Sequence, residues 1–130
     1  MEKFDTSKTI QWISGSIDKI TMASIYSAVQ QNDQKRLVLV FEKIHAADIA
    51  DLLEQVNRSL RKSIVNLWGD SINGEVLSEL EEGVRDELLK VIPDESLVKS
   101  IRKLQTDDLV HLIEDLDDKK KKNYFSFLRN

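Results

Sequence analysis

The side chains with the best claim to chemistry in this chain are its carboxylates. Asp48, Asp51 and Glu54, then Glu75, Glu79, Glu81, Glu82, Asp86 and Glu87, then Asp107, Asp108, Glu114, Asp115, Asp117 and Asp118 fall mostly off the apolar stripes. Carboxylate oxygens are hard donors, so a face rich in them attracts a hard divalent cation. The same pattern equally serves plain solvation of helix surfaces, and spacing alone leaves both readings open. No dense Asp-rich loop with a closing Glu is present, so a cation site here is sparse and completed by something else.

Other chemistries fail on inventory. Cys is absent, which removes disulfides and thiolate metal sites and suits a reducing cytosol. His45 and His111 fall on different predicted helices, at positions that read as surface or packing histidines. There is no His-Glu-x-x-His, no Gly-x-Gly-x-x-Gly and no phosphate loop, and no Ser or Thr has a base suggested beside it. The chain is therefore not expected to be an enzyme. The run Lys119 to Lys122 follows Asp117 and Asp118. It could meet phosphate or anionic lipid, but without interleaved aromatics it reads better as a solvated helix face than as a nucleic-acid groove.

The elements that must carry these residues are helical. The 130 residues fit one ordinary domain, and only 4 Gly and 1 Pro punctuate them, too few for the turns of a sheet. The net charge of -4 gives no reason to expect nucleic acid. The longest apolar run, Leu37 to Phe41, is far short of the roughly 18 residues a membrane span needs. The N-terminus lacks the basic and apolar regions of a secretory signal, so Asn57-Arg58-Ser59 is read as a chance glycosylation pattern. A cytosolic polypeptide is expected.

Ile10, Ile13, Ile17 and Ile20 step by three and four, an amphipathic leader weakened by Gly15. A helix from about Ile17 to Gln31 follows, and Asn32 or Asp33 can cap the next, which carries Leu37, Val40, Phe41 and Ile44. Further stripes run through Ile49, Leu52, Leu53 and Val56, then Leu60, Ile64, Leu67 and Trp68, closed by Gly69 as a left-handed cap. Ile72, Val76, Leu77 and Leu80 lead to a stop at Gly83, and Val84, Leu88, Val91 and Ile92 to one at Pro93. Asp94 restarts the chain through Leu97, Val98, Ile101 and Leu104, and Thr106 opens a helix with Leu109, Leu112, Ile113 and Leu116. A last segment carries Tyr124, Phe125 and Leu128. Helix starts recur about every twelve residues, giving helices near 15 Å long, marginal alone in water. Stacked short hairpins are the simplest way to support them, so the expected fold is all-α, a right-handed superhelix or α-solenoid. Residues 1–16 form an N-terminal leader, expected to be mobile, and 17–130 the superhelical domain. The stretch His45 to Val56 echoes at Thr106 to Leu116, with Asp48, Leu52 and Glu54 matched by Asp108, Leu112 and Glu114. That offset spans five helix steps, an odd number, so it is not a clean duplication of a two-helix unit.

Three segments carry a family resemblance: "EKIHAADIADLLEQV", "EVLSELEEGVRDELLKVIPDE" and "LQTDDLVHLIEDL". In this order they resemble the cytosolic N-terminal domain of MgtE-type magnesium transporters, over about residues 20 to 130. One departure is Ala46, where the family usually has proline; its loss is expected to cost stability rather than function.

The resemblance implies a magnesium-sensing regulatory domain of a homodimeric transporter with paired CBS domains and a five-helix transmembrane pore, at the bacterial inner membrane. Magnesium between the N and CBS domains would neutralise facing carboxylates and close the pore; without it they repel and the pore opens. The family's N-domain ligands match Glu75 and Asp107. Both read as first-turn residues, where a carboxylate also favours the helix dipole, so a capping role stands beside the ligand role. This chain carries neither CBS segments nor spanning helices, so it is expected to be a fragment of a longer transporter and to bind magnesium weakly or not at all alone. The alternative is a metal-independent α-helical interaction scaffold related to the flagellar motor switch protein.

Overall fold

Apolar stripes at three- and four-residue spacing bury one side of a helix, and here they produce short helices in quick succession. The computed structural model of the chain describes residues 17–102, 104, 106–114, 116–119 and 121–122, with the backbone alone at 106, 108, 109 and 111. They form α1 (Lys19–Gln30), α2 (Gln34–Glu42), α3 (Ala46–Gln55) and α4 (Arg58–Trp68), then a 3₁₀ turn (Gly69–Ser71). After it come α5 (Gly74–Glu79), α6 (Glu82–Val91), α7 (Asp94–Ile101) and α8 (Thr106–Glu114). No strand occurs among the described residues, so the chain is all-α, as expected. This element order is compatible with the expected superhelix. The leader, residues 1–16, and the segment of Tyr124, Phe125 and Leu128 lie outside the described residues.

Local chemistry sets the boundaries. Asp18 N-caps α1, accepting from the Thr21 backbone N–H at 2.7 Å. Its extended backbone (ψ 170°) divides the isoleucine stripe expected to run through it. Ile17, just outside the helix, is buried together with Met22, the positions of a hydrophobic staple, whereas Ile20 is 80% exposed. Of the two candidate caps for α2, Asp33 accepts from the Arg36 N–H at 3.2 Å. Asn32 instead takes the left-handed conformation at φ 56° that makes the turn. Gly69 has φ 57°, the left-handed break expected after α4. The next break differs from expectation. Leu80 and Glu81 are extended and end α5, while Gly83 lies inside the first turn of α6. The helix stops where apolar Leu80 must turn inward, not at the glycine.

The chain forms two compact units, Met1–Trp68 and Gly69–Asn130. In the first, α1 packs on α2 and both pack on α4. Leu37, Phe41, Leu60 and Ile64 are buried, and the Phe41 and Trp68 rings meet edge to face at 4.6 Å. Gln34 donates its side-chain N–H to the Trp68 carbonyl at 3.2 Å. Val40, Ile44 and Leu67, expected in the core, are only half-buried at its margin. In the second unit, α7 packs on the 3₁₀ turn, and α5 packs on both α7 and α8. Its core includes Val76, Leu77, Leu88, Leu97, Ile101 and Leu112.

Burial reveals a repeat that differs from the sixty-residue echo. Leu52, Leu53, Val56, Leu60, Arg61, Ile64, Val65 and Trp68 are all buried. So are the residues 24 further on: Val76, Leu77, Leu80, Val84, Arg85, Leu88, Leu89 and Ile92. The two-helix unit α3–α4 thus recurs as α5–α6. Each copy has an arginine clamp. Arg61 donates to the Leu53 and Val56 carbonyls at 2.6 and 3.3 Å, and Arg85 to the Leu80 carbonyl at 3.2 Å. Each guanidinium thereby satisfies carbonyls that the end of the preceding helix leaves without intrahelical partners. The sixty-residue echo joins α3, first of its pair, to α8, which follows α7 as a second helix, so it reflects similar demands on two helices rather than a repeat.

Candidate functional site

In the second unit, the 3₁₀ turn sets up the helix that carries Glu75. Asp70 accepts hydrogen bonds from the Ser96 hydroxyl and from Lys99 Nζ, the latter at 2.9 Å, which fastens the turn to α7. The Ser96 bond, then the Lys99 bond, holds the Asp70 carboxyl below its ordinary value, and the Asp70 bond raises the Lys99 ammonium. Neither residue is an obvious pair in sequence, since 26 and 29 positions separate them. A long sequence separation between an exposed acid and a lysine carries no signal, so nothing in the sequence singles out Asp70.

From this anchored turn the chain runs into α5. Asn73 caps it, accepting from the Glu75 N–H at 3.0 Å. Gly74, the first helical residue, is buried against α7: a Cβ there would collide with the Ser100 carbonyl oxygen and come within 3.0 Å of Leu104 Cγ. Only glycine lets the first turn of α5 approach so closely. Glu75 follows and points its carboxylate to solvent from that turn. Asp107 occupies the first turn of α8 and is also exposed. Because α5 and α8 pack on each other, the two candidate ligands lie on the first turns of neighbouring helices of one unit.

The remaining acids are distributed. Asp51, Glu79, Glu82, Glu114 and Asp118 are exposed, and Asp86 lies 4.0 Å from Lys90 one turn on. Asp115 and the side chain of Asp108 lie outside the described residues, as does the side chain of His111. His45 is exposed at the N-cap of α3 and its side chain makes no capping bond. Among the described residues, no three His, Asp or Glu side chains form a group able to hold a metal ion. Single exposed carboxylates such as Glu75 and Asp107 could contribute at most part of the shell of a cation such as magnesium. The ion keeps several waters and takes one or two carboxylates, which exposed first-turn acids can supply. Among the described residues no helix is long and apolar enough to cross a membrane.

Comparison with known proteins gives one result. The family model of the MgtE intracellular N domain matches residues 44–130, about two thirds of the chain. No curated protein and no solved structure matches. The matched span begins just before α3 and takes in both arginine clamps, Gly74, Glu75 and Asp107. The chain therefore belongs to the MgtE intracellular N domain family, whose members are regulatory, non-catalytic domains of magnesium transporters.

Proposed function

We propose that this domain senses magnesium and gates a transport pore by packing against CBS domains of the same homodimeric transporter, at the inner face of a bacterial membrane. Glu75 and Asp107 each supply a carboxylate to an ion whose remaining ligands come from water and from the neighbouring domain. The reading is carried by the family match, which includes both residues, and it is supported by their exposure on first turns of two packed helices. Facing carboxylates repel across a gap, and a divalent ion between them removes the repulsion and adds attraction. The ion binds one arrangement only, so its concentration sets the population of the closed pore.

The test uses the full-length transporter. Glu75→Gln and Asp107→Asn keep size and remove charge, so the double variant should need a higher magnesium concentration to close its pore, read as ion flux against cytosolic magnesium. Closure at the unchanged concentration would contradict the ligand roles and favour a metal-independent scaffold.

A further inference from the structure

Of the asparagines in the chain, Asn73 is the one followed by glycine. That pair favours spontaneous deamidation, because a backbone nitrogen reaches the side-chain carbon of the residue before it most easily when no Cβ crowds the approach. Asn73 is exposed at the N-cap of α5, so water reaches its side-chain amide. Gly74 is the first residue of that helix, where the backbone N–H has no intrahelical bond to give up.

The fold holds the two reacting groups apart. Ring closure needs the Asn73 Cβ and the Gly74 nitrogen nearly eclipsed about the Cα–C bond, and a ψ of 118° turns them well away from that. Two hydrogen bonds fix this backbone. The Asn73 side chain accepts from the Glu75 N–H at 3.0 Å, and its carbonyl accepts from the Val76 N–H at 3.0 Å. Gly74 is fixed as well, since its backbone packs against the Ser100 carbonyl oxygen and the Leu104 side chain. Rotating ψ therefore requires the first turn of α5 to leave α7.

We propose that Asn73 is a deamidation site gated by the contact between the start of α5 and α7. When the contact opens, the Gly74 nitrogen gives its proton to hydroxide and attacks Asn73 Cγ. The Cγ–Nδ2 bond breaks, and the departing nitrogen takes a proton from water and leaves as ammonia. Water then opens the five-membered imide. Attack at the side-chain carbonyl leaves an ordinary aspartate at position 73, and attack at the backbone carbonyl leaves its β-linked isomer. The ordinary aspartate still offers an oxygen to cap α5, and it adds a negative charge two residues before Glu75. The β-linked isomer lengthens the main chain by a methylene, so the Gly74 contact cannot re-form in its present register.

The test follows the full chain by peptide mass spectrometry at mildly alkaline pH. The peptide holding Asn73 should gain one mass unit slowly in buffer and faster in concentrated urea, by roughly tenfold or more if a local opening limits the reaction. Leu104→Ala loosens the packing on Gly74 and should speed the reaction in buffer while leaving the rate in urea unchanged. Leu37→Ala weakens the core of the first unit instead and should leave the rate in buffer unchanged. Equal rates in buffer and urea would show that the fold does not guard the site, and no mass gain in urea would remove the site altogether. A rate unmoved by Leu104→Ala, or moved as much by Leu37→Ala, would take the gate away from the α5–α7 contact. Each of these results overturns the proposal.

Discussion

Two kinds of buried or tethered charge matter at the level of single residues. Arg61 is 9% exposed and spends its guanidinium on carbonyls at the end of α3. Replacing it with Ala leaves those carbonyls without their charged donor, and Arg61→Ala should lower stability by roughly 2–4 kcal/mol. Urea unfolding checks this as a lower midpoint at unchanged m-value. Asp70 makes a different prediction. Its folded-state pKa is depressed by Ser96 and Lys99. A depressed carboxyl stabilises the fold fully above its unfolded value, near 3.8, and that contribution is lost as pH falls through the lower folded value. Lys99 has the opposite sign: its raised pKa contributes below 10.5 and is lost only as pH climbs through the higher folded value. Asp70→Asn should therefore flatten the fall in Tm below about pH 4 and lower Tm at neutral pH. An acid limb as steep as that of the parent chain would show that Asp70 is not its source.

Helix starts offer a gain rather than a loss. Ala46 is the first residue of α3, and His45 before it is extended at φ -66° and ψ 147°. Both conformations suit proline at position 46: the first helical residue needs no intrahelical N–H bond, and the preceding residue already has the backbone that proline favours. Ala46→Pro should raise stability by about 0.4–1 kcal/mol through a less flexible unfolded chain. Thermal unfolding with no gain in Tm would mean that the Ala46 N–H is engaged in the fold. The departure from the family's usual proline then reads as a small loss of stability at a position that still tolerates it.

For the molecule as a whole, the proposed sensing makes the isolated domain a poor magnesium binder. Each candidate ligand is a single exposed carboxylate, and among the described residues none belongs to a group of three. Titration calorimetry of this chain should find magnesium binding no tighter than millimolar, since one or two carboxylates with water make a weak site. A micromolar site would contradict the half-site reading.

Much of this protein could be read in one dimension. The all-α class, the succession of short helices and the stripes from Ile49 to Val56 and from Ile72 to Leu80 follow from the three- and four-residue spacing of side chains that water excludes, and so did the left-handed break at Gly69. The family motifs already pointed to Glu75 and Asp107, and the match over residues 44–130 supports the family they came from. Tertiary structure decided what depends on residues far apart in the chain. It showed that Asp18 splits the isoleucine stripe, that α5 ends at Leu80 rather than Gly83, and that the repeat is 24 residues with an arginine in each copy. It also tied Asp70 to Ser96 and Lys99 and pressed Gly74 against Ser100. Periodicity reports which side of a helix avoids water, a property of near neighbours. Which carbonyl a buried guanidinium reaches, or which backbone a glycine touches, is settled only when distant segments meet.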